Sequence, residues 1–223
     1  MLAVFIAVLV ASFACASPMI VFAVRRADDT PTIVIDAGHG GADAGVTGKT
    51  TGARESDLNL AIANLLGDML KARGFHVVFT RTNDTMLRIV ESDTKKRSDM
   101  FSRASIINSV KADVVVSIHM NYFPSAVRRG AQTFFERKDA DSFRLATCVQ
   151  ESLNVLNAEM TKREYSPLTA EKYILSCSPA ASIIVECGFL SNPADENLLI
   201  SSAYQATLAE KIAQGIAEYF DNV

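Results

Sequence analysis

The chain has 223 residues, 49% of them apolar and 21% charged, enough to bury one sizeable α/β core. Eleven glycines and six prolines exclude a fibrous or low-complexity protein, and four cysteines are too few for a disulfide scaffold. Two of the 22 basic residues, Arg25 and Arg26, precede every acidic one, so the remaining chain sets 20 basic groups against 25 acidic ones. That net charge of −5 argues against nucleic acid as a partner, because phosphate neutralisation needs a cationic surface.

Residues 1–24 carry no charged side chain and are long enough to cross the roughly 30 Å hydrocarbon core of a bilayer as a helix. The run reads as an export signal with two fates open. Its length and the lack of a preceding basic residue favour a retained membrane anchor, while Ala14, Ala16 and Ser17 offer small residues for cleavage. The basic pair that follows runs against the positive-inside orientation of an exported domain. The expected organisation is a signal peptide or membrane anchor over residues 1–26 and one catalytic domain over residues 27–223, exported to the outer membrane face or cell wall. Cys15 falls in the leader as an ordinary apolar residue, and Cys148, Cys177 and Cys187, lacking metal-ligand spacing, read as core.

Strand and helix periods alternate from Pro31 onward. TIVID (residues 32–36) is a β-branched strand, and Leu58, Ile62, Leu65, Leu66 and Met69 repeat at helical spacing until Gly74, with Ser56 as the expected cap. HVVFT (76–80) is a second strand, residues 95–110 a second helix, and ADVVVSIH (112–119) a third strand whose unbroken apolar run implies burial on both faces. AQTFFE (131–136) follows as a strand, Ala146, Val149, Leu153 and Leu156 mark a helix, ASIIVE (181–186) is another buried strand, and Leu208, Ile212, Ile216 and Tyr219 close the chain with a helix. The alternation predicts an α/β fold of three αβα layers with a mostly parallel sheet of about six strands. Residues 81–96 and 161–172 read as polar surface excursions.

Ligands in such sheets bind beyond the carboxyl ends of the strands. The first strand ends in Asp36-Ala37-Gly38-His39-Gly40-Gly41, the third in Ser117-Ile118-His119 and a later buried one in Glu186, while Glu55 precedes the first helix. Taken singly, a strand-end histidine is usually hydrogen-bonded structure and a glutamate at a helix start a dipole partner. Taken together, His39, Glu55 and His119 make a set of two histidines and a carboxylate, the composition of a catalytic zinc site with a fourth position for water. The chain has only three histidines, and the third, His76, opens a strand and reads as structural. A carboxylate at Glu186, after Ile183-Ile184-Val185, is costly unless paired or functional.

IDAGHGGADAG, RESDLNLAI, GFHVVFTR, VVVSIHMN and IIVECGFLSNP occur in the order found in zinc-dependent N-acetylmuramoyl-L-alanine amidases, and the resemblance spans residues 31–222. SIHMNYFPS and GAQTFFE most resemble the sporulation amidases that strip peptides from spore-cortex peptidoglycan, which implies action in the space between forespore and mother cell. The resemblance implies Zn2+ held by His39, Glu55 and His119, Glu186 as the catalytic carboxylate, and peptidoglycan as the partner. Met120 and Cys187 depart from the family pattern without removing a ligand, and the short link from His119 to Gly130 leaves no room for the helical insertion that occludes some division amidases. Asp36 and Ser117 are open to either an orienting or a structural role, and Arg81, Arg103 and Asn121 are the candidate substrate-binding residues. An exported accessory protein is a further expected partner, as a source of localisation beside the leader. The rival readings are a general autolysin or division amidase, a zinc peptidase acting within the stem peptide, and a wall-binding pseudo-amidase. The intact chemical residues count against the last.

Overall fold

The computed structural model describes residues 30–221, so the leader expected over residues 1–26 lies outside the described residues. The strands are β1 (Thr32–Ala37), β2 (His76–Phe79), β3 (Val114–Asn121), β4 (Gln132–Phe135), β5 (Leu168–Thr169) and β6 (Ala181–Phe189). They form one six-stranded sheet in the order β2-β1-β3-β6-β4-β5. β2, β1, β3 and β6 are mutually parallel, β4 runs antiparallel to β6, and β5 pairs parallel to β4. The mostly parallel sheet expected from the alternation is present, and its antiparallel edge belongs to the segment whose preceding connection, residues 122–131, contains no helix. A parallel neighbour needs a crossover of a dozen or more residues, whereas this link allows only a direct return.

The helices are α1 (Glu55–Ala72), α2 (Lys95–Ser109), α3 (Ala140–Thr161), α4 (Tyr173–Ser176), α5 (Pro193–Leu199) and α6 (Ser202–Asp221). Alternate strand residues face opposite sides of the sheet. Ile33, Ile35, Val114, Val116, Ile183 and Val185 pack under α1, α3 and α6 through Ile62, Leu66, Val149, Leu153, Ile212 and Ile216. Val34, Val115 and Ile184 face the other way, against Ile107 of α2 and Ile174 and Leu175 of α4. Each fully buried aliphatic side chain stabilises by about 1.5–3 kcal/mol, so the first face holds most of the fold's stability. The second face, covered only by α2 and the single turn α4, leaves its carboxyl edge open.

Two local expectations are corrected. α1 begins at Glu55 with Arg54 as its cap residue, and Ser56, expected as the cap, is buried with its hydroxyl unpartnered. The carbonyls of Val46 and Ala44 accept from the Glu55 and Ser56 amides, so the loop backbone does what a capping side chain would do. The stretches expected as surface excursions are partly built into the body. Arg81 is 3% exposed, and residues 168–169 add β5 to the sheet. Among the described residues no helix is long and apolar enough to cross a membrane.

Candidate active site

The turn after β1 carries His39 in the left-handed region at φ 61°, between Gly38 and Gly40-Gly41. Such a conformation is costly for a residue with a Cβ and persists only where its surroundings enforce it. Gly38 is required for a different reason, since a Cβ there would collide with the His119 imidazole. His119 stands two residues before the end of β3, and its ring meets that of His39 edge-on at a centroid separation of 5.1 Å. Glu55 lies between them: Oε1 is 3.2 Å from His39 Nε2 and 3.0 Å from His119 Nδ1. The same oxygen accepts from the Met120 amide at 3.1 Å, and Oε2 accepts from the Val46 amide at 2.8 Å. His39 Nδ1, on the far side of its ring, stands 3.0 Å from Asp43 Oδ2. One donor atom from each of His39, Glu55 and His119 lies within 4.8 Å of the others, an arrangement that could hold a metal ion.

The electrostatics agree with that arrangement. Burial alone would raise the Glu55 carboxyl, but the hydrogen bonds and charges of His119 and His39 outweigh it and hold the group well below the usual carboxylate range. Burial disfavours a charged His39, and Glu55 and Asp43 more than compensate, so its basicity rises. A cluster that collects positive charge around one carboxylate oxygen when protonated is equally able to present neutral imidazoles and a carboxylate to a cation.

Glu186 stands in β6 directly beside His119 in the strand register, and both line a cleft of about 620 Å³ with His39 and Glu55. Its Oε2 is buried without a protein partner. Burial is the main cause that raises its pKa above the ordinary glutamate value. A carboxylate so placed takes up and releases a proton at low cost, which suits acid–base chemistry.

Arg81 and Arg103 do not reach for a ligand, which corrects the expectation that they bind substrate carboxylates. Arg81 donates to the carbonyls of Ala37 (2.8 Å), Gly38 (2.9 Å), Ser56 (2.9 Å) and Asn83 (3.0 Å), fastening the His39 turn to the start of α1. Arg103, 2% exposed, donates to Asp36 Oδ1 (2.6 Å), Asp99 Oδ2 (2.7 Å) and the carbonyls of Ala37 (2.8 Å) and His39 (2.7 Å). The physical reason is the turn itself: its carbonyls point inward and need donors, and guanidinium groups supply several each. Asp36 also accepts from Ser117 (2.6 Å) and Thr80 (2.7 Å), so both Asp36 and Ser117 belong to the network that supports the His39 turn. Burial would raise Asp36, yet Arg103, Ser117 and Thr80 together lower it to about 2. Asn121 accepts from the Tyr122 amide at 2.8 Å and lines a neighbouring groove rather than the cleft.

Three supporting residues were missed in the sequence. Asp43, four residues after His39 in the glycine-rich turn, was visible as a histidine-orienting carboxylate. The spacing of Asp99 and Arg103 on one helix signalled an ion pair. Nothing in the sequence pointed to Glu196 of α5, whose buried carboxylate accepts from the amides of Thr50 and Thr51 and so holds the loop leading to Glu55.

A profile of the N-acetylmuramoyl-L-alanine amidase family matches residues 33–218. The germination-specific N-acetylmuramoyl-L-alanine amidase of Bacillus subtilis is 34% identical over 191 residues, covering 84% of this chain and 79% of that protein. The B. subtilis amidase LytC is 32% identical over a stretch that is 85% of this chain and 35% of LytC. Among solved structures, the CwlD amidase of Clostridioides difficile, determined in complex with the GerS lipoprotein, superposes with a TM-score of 0.80 at 34% identity, covering 87% of this chain and all of that one. An N-acetylmuramoyl-L-alanine amidase from Clostridium difficile 630 superposes with a TM-score of 0.74 at 36% identity, covering 86% of this chain and 97% of that one. With the fold, the ligand cluster and the cleft carboxylate all in the matched region, the chain belongs to the N-acetylmuramoyl-L-alanine amidase family, hydrolases of peptidoglycan.

Proposed function

We propose that this chain is a zinc-dependent amidase that hydrolyses the bond between N-acetylmuramic acid and L-alanine, removing stem peptides from spore-cortex peptidoglycan on the muramic-lactam pathway. The observation that carries the chemistry is the convergence of His39, Glu55 and His119 beside an unpartnered Glu186 Oε2. Zinc fits this donor set. Tetrahedral ligation at about 2.0–2.1 Å puts neighbouring donor atoms roughly 3.3 Å apart, and the His39–Glu55 and His119–Glu55 contacts measure 3.2 and 3.0 Å. Asp43 behind His39 is the kind of carboxylate that orients a metal-ligating imidazole.

Bound there, zinc supplies Lewis-acid polarisation of the scissile carbonyl and lowers the pKa of water toward about 7. The chain's own part begins with the rigid floor: Arg81 and Arg103 lock the His39 turn, and the Met120 and Val46 amides hold the two oxygens of Glu55. Glu186 takes the proton of the attacking water on Oε2 and passes it to the departing L-alanine nitrogen. Burial raises the basicity of that carboxylate, which favours the first transfer, from the water.

The sporulation role is supported by the likeness to the germination-specific enzyme and to CwlD. An exported setting accords with the cell-wall amidases among the relatives, and we assign residues 1–26 to a signal peptide or anchor and residues 27–223 to the catalytic domain. The solved complex of CwlD with a lipoprotein supports an exported accessory protein for this chain too, acting between forespore and mother cell. The test is muropeptide analysis after digestion of cortex sacculi with the zinc-loaded protein. Peptides with a free N-terminal L-alanine and peptide-free muramic acid in intact glycan are expected. New termini at D-amino acids would instead make it a stem-peptide peptidase.

A further inference from the structure

Beside the catalytic cleft lies a second groove, of about 480 Å³, that nothing in the chemistry above uses. The strand register makes the two continuous. Ile184 and Glu186 of β6 line the cleft, and their partners on β4 are Phe134 and Gln132, which line the groove. Directly opposed residues of neighbouring strands lie on the same face of a sheet, about 5 Å apart. The groove therefore extends the active-site floor by one strand, outward from Glu186.

Its wall is the connection between β3 and β4, and that wall is fastened. Asp195 accepts from Arg129 Nε (2.9 Å) and the Gly130 amide (2.8 Å), Ser191 Oγ accepts from the Phe123 amide (3.0 Å), and Tyr165 donates from its hydroxyl to the Arg129 carbonyl (3.0 Å). From this wall Arg128 is exposed, with its guanidinium 5.0 Å from the centroid of the Phe123 ring. Among the described residues no carboxylate lies within 4.0 Å of it, whereas the neighbouring Arg129 is neutralised by Asp195. Glu164 lines the same groove and is exposed. An accessible cation and an accessible anion in one aromatic-walled groove match a ligand that carries both charges. N-acetylated glycan whose lactyl groups are amidated carries neither, and peptide-free glycan carries only anions, whereas a stem peptide containing an acidic residue and a diamino acid carries both.

Resting on the amidase reading, we infer that this groove binds the stem peptide, with Arg128 as a specificity-determining residue for the α-carboxylate of its second residue and Glu164 facing the side-chain ammonium of its diamino acid. The peptide then runs from Glu186 across β6 onto β4, and the glycan occupies the opposite, α2 side of the cleft.

The experiment uses the full chain loaded with zinc, and two ligands: the released stem tripeptide with a free second-residue α-carboxylate, and the same peptide with that group as the primary amide. Calorimetric binding of both is measured for wild type, Arg128→Gln and Arg128→Lys. Wild type should bind the carboxylate about tenfold more tightly than the amide, the glutamine variant should bind both alike, and the lysine variant should retain part of the preference, as expected for a charge-assisted hydrogen bond. In turnover of the corresponding muropeptides, Arg128→Gln should raise KM about tenfold and leave kcat unchanged. Equal affinity of wild type for acid and amide, or an unchanged KM in Arg128→Gln together with weaker binding of peptide-free glycan, would overturn the assignment and make the groove a glycan site. Failure of wild type to cleave the muramoyl bond while still preferring the carboxylate would instead overturn the amidase reading alone. Because Arg128 is exposed and bonded to no buried group, its replacement leaves the fold intact.

Discussion

Replacing Arg103 with leucine isolates the buried network under the His39 turn. The substitution keeps an apolar stem but removes the donors to Asp36, Asp99 and the carbonyls of Ala37 and His39. Asp36 is fully buried and would keep only the Ser117 and Thr80 hydroxyls. Breaking one partner of a buried ion pair costs about 3–5 kcal/mol, because the remaining charge is left uncompensated. The pH dependence gives an independent check. In the wild type Asp36 is lowered from 3.8 to about 2, a difference worth roughly 2 kcal/mol. A depressed carboxyl contributes stability that is present above the unfolded value and is lost as pH falls through the folded one, so the wild type should lose this increment between about pH 4 and pH 2. Without Arg103, burial dominates and pushes Asp36 above its ordinary value. The variant then takes up a proton in the folded state, and its deficit should shrink as pH falls from 7 to 4. Urea denaturation of both proteins with a chelator present, at pH 7 and at pH 4, measures this free of metal binding. A deficit under about 1 kcal/mol at pH 7, or one that does not change with pH, would refute the reasoning. The double variant Asp36→Asn/Arg103→Leu should recover part of the loss, since the fully buried carboxylate is gone and only Asp99, which still accepts from the Leu87 amide, lacks its guanidinium partner.

Glu186→Gln should bind one metal per chain as the wild type does yet lose at least about 10²-fold in kcat, and metal analysis beside turnover on sacculi checks both halves. Chelation should abolish activity and zinc restore it, while His39→Ala and His119→Ala should each lose metal on dialysis; full occupancy in both variants would exclude them as ligands. Gly38→Ala places a methyl group against the His119 imidazole, so it should weaken metal affinity about 10–100-fold while the far-ultraviolet circular dichroism stays unchanged. Glu196→Gln loosens the Thr50–Thr51 loop that leads to Glu55 and should cost about 1–3 kcal/mol of stability, read in the same denaturation assay.

The pattern of β-branched runs and helical spacings determined the α/β architecture, because each element had to present an apolar face of the right period to a shared core. The candidate chemical residues were legible for a related reason. His39 and Glu55 stand at or near the ends of buried elements and His119 and Glu186 in the last few residues of buried strands that run on to Asn121 and Phe189, places where a polar side chain is tolerated only if it is paired or used. The sequence could not tell a substrate-binding arginine from a structural one: Arg81 and Arg103 are spent on backbone carbonyls of a turn whose inward-pointing geometry exists only after folding. Nor could it show that Ser56 yields its capping role to Val46 and Ala44, or that Glu196 reaches a loop some 145 residues away. The direction and register of β4 were likewise decided by tertiary structure. Whether Gln132 and Phe134 sit beside Glu186 and Ile184 depends on which strand edge was left open, a long-range choice that no local period encodes.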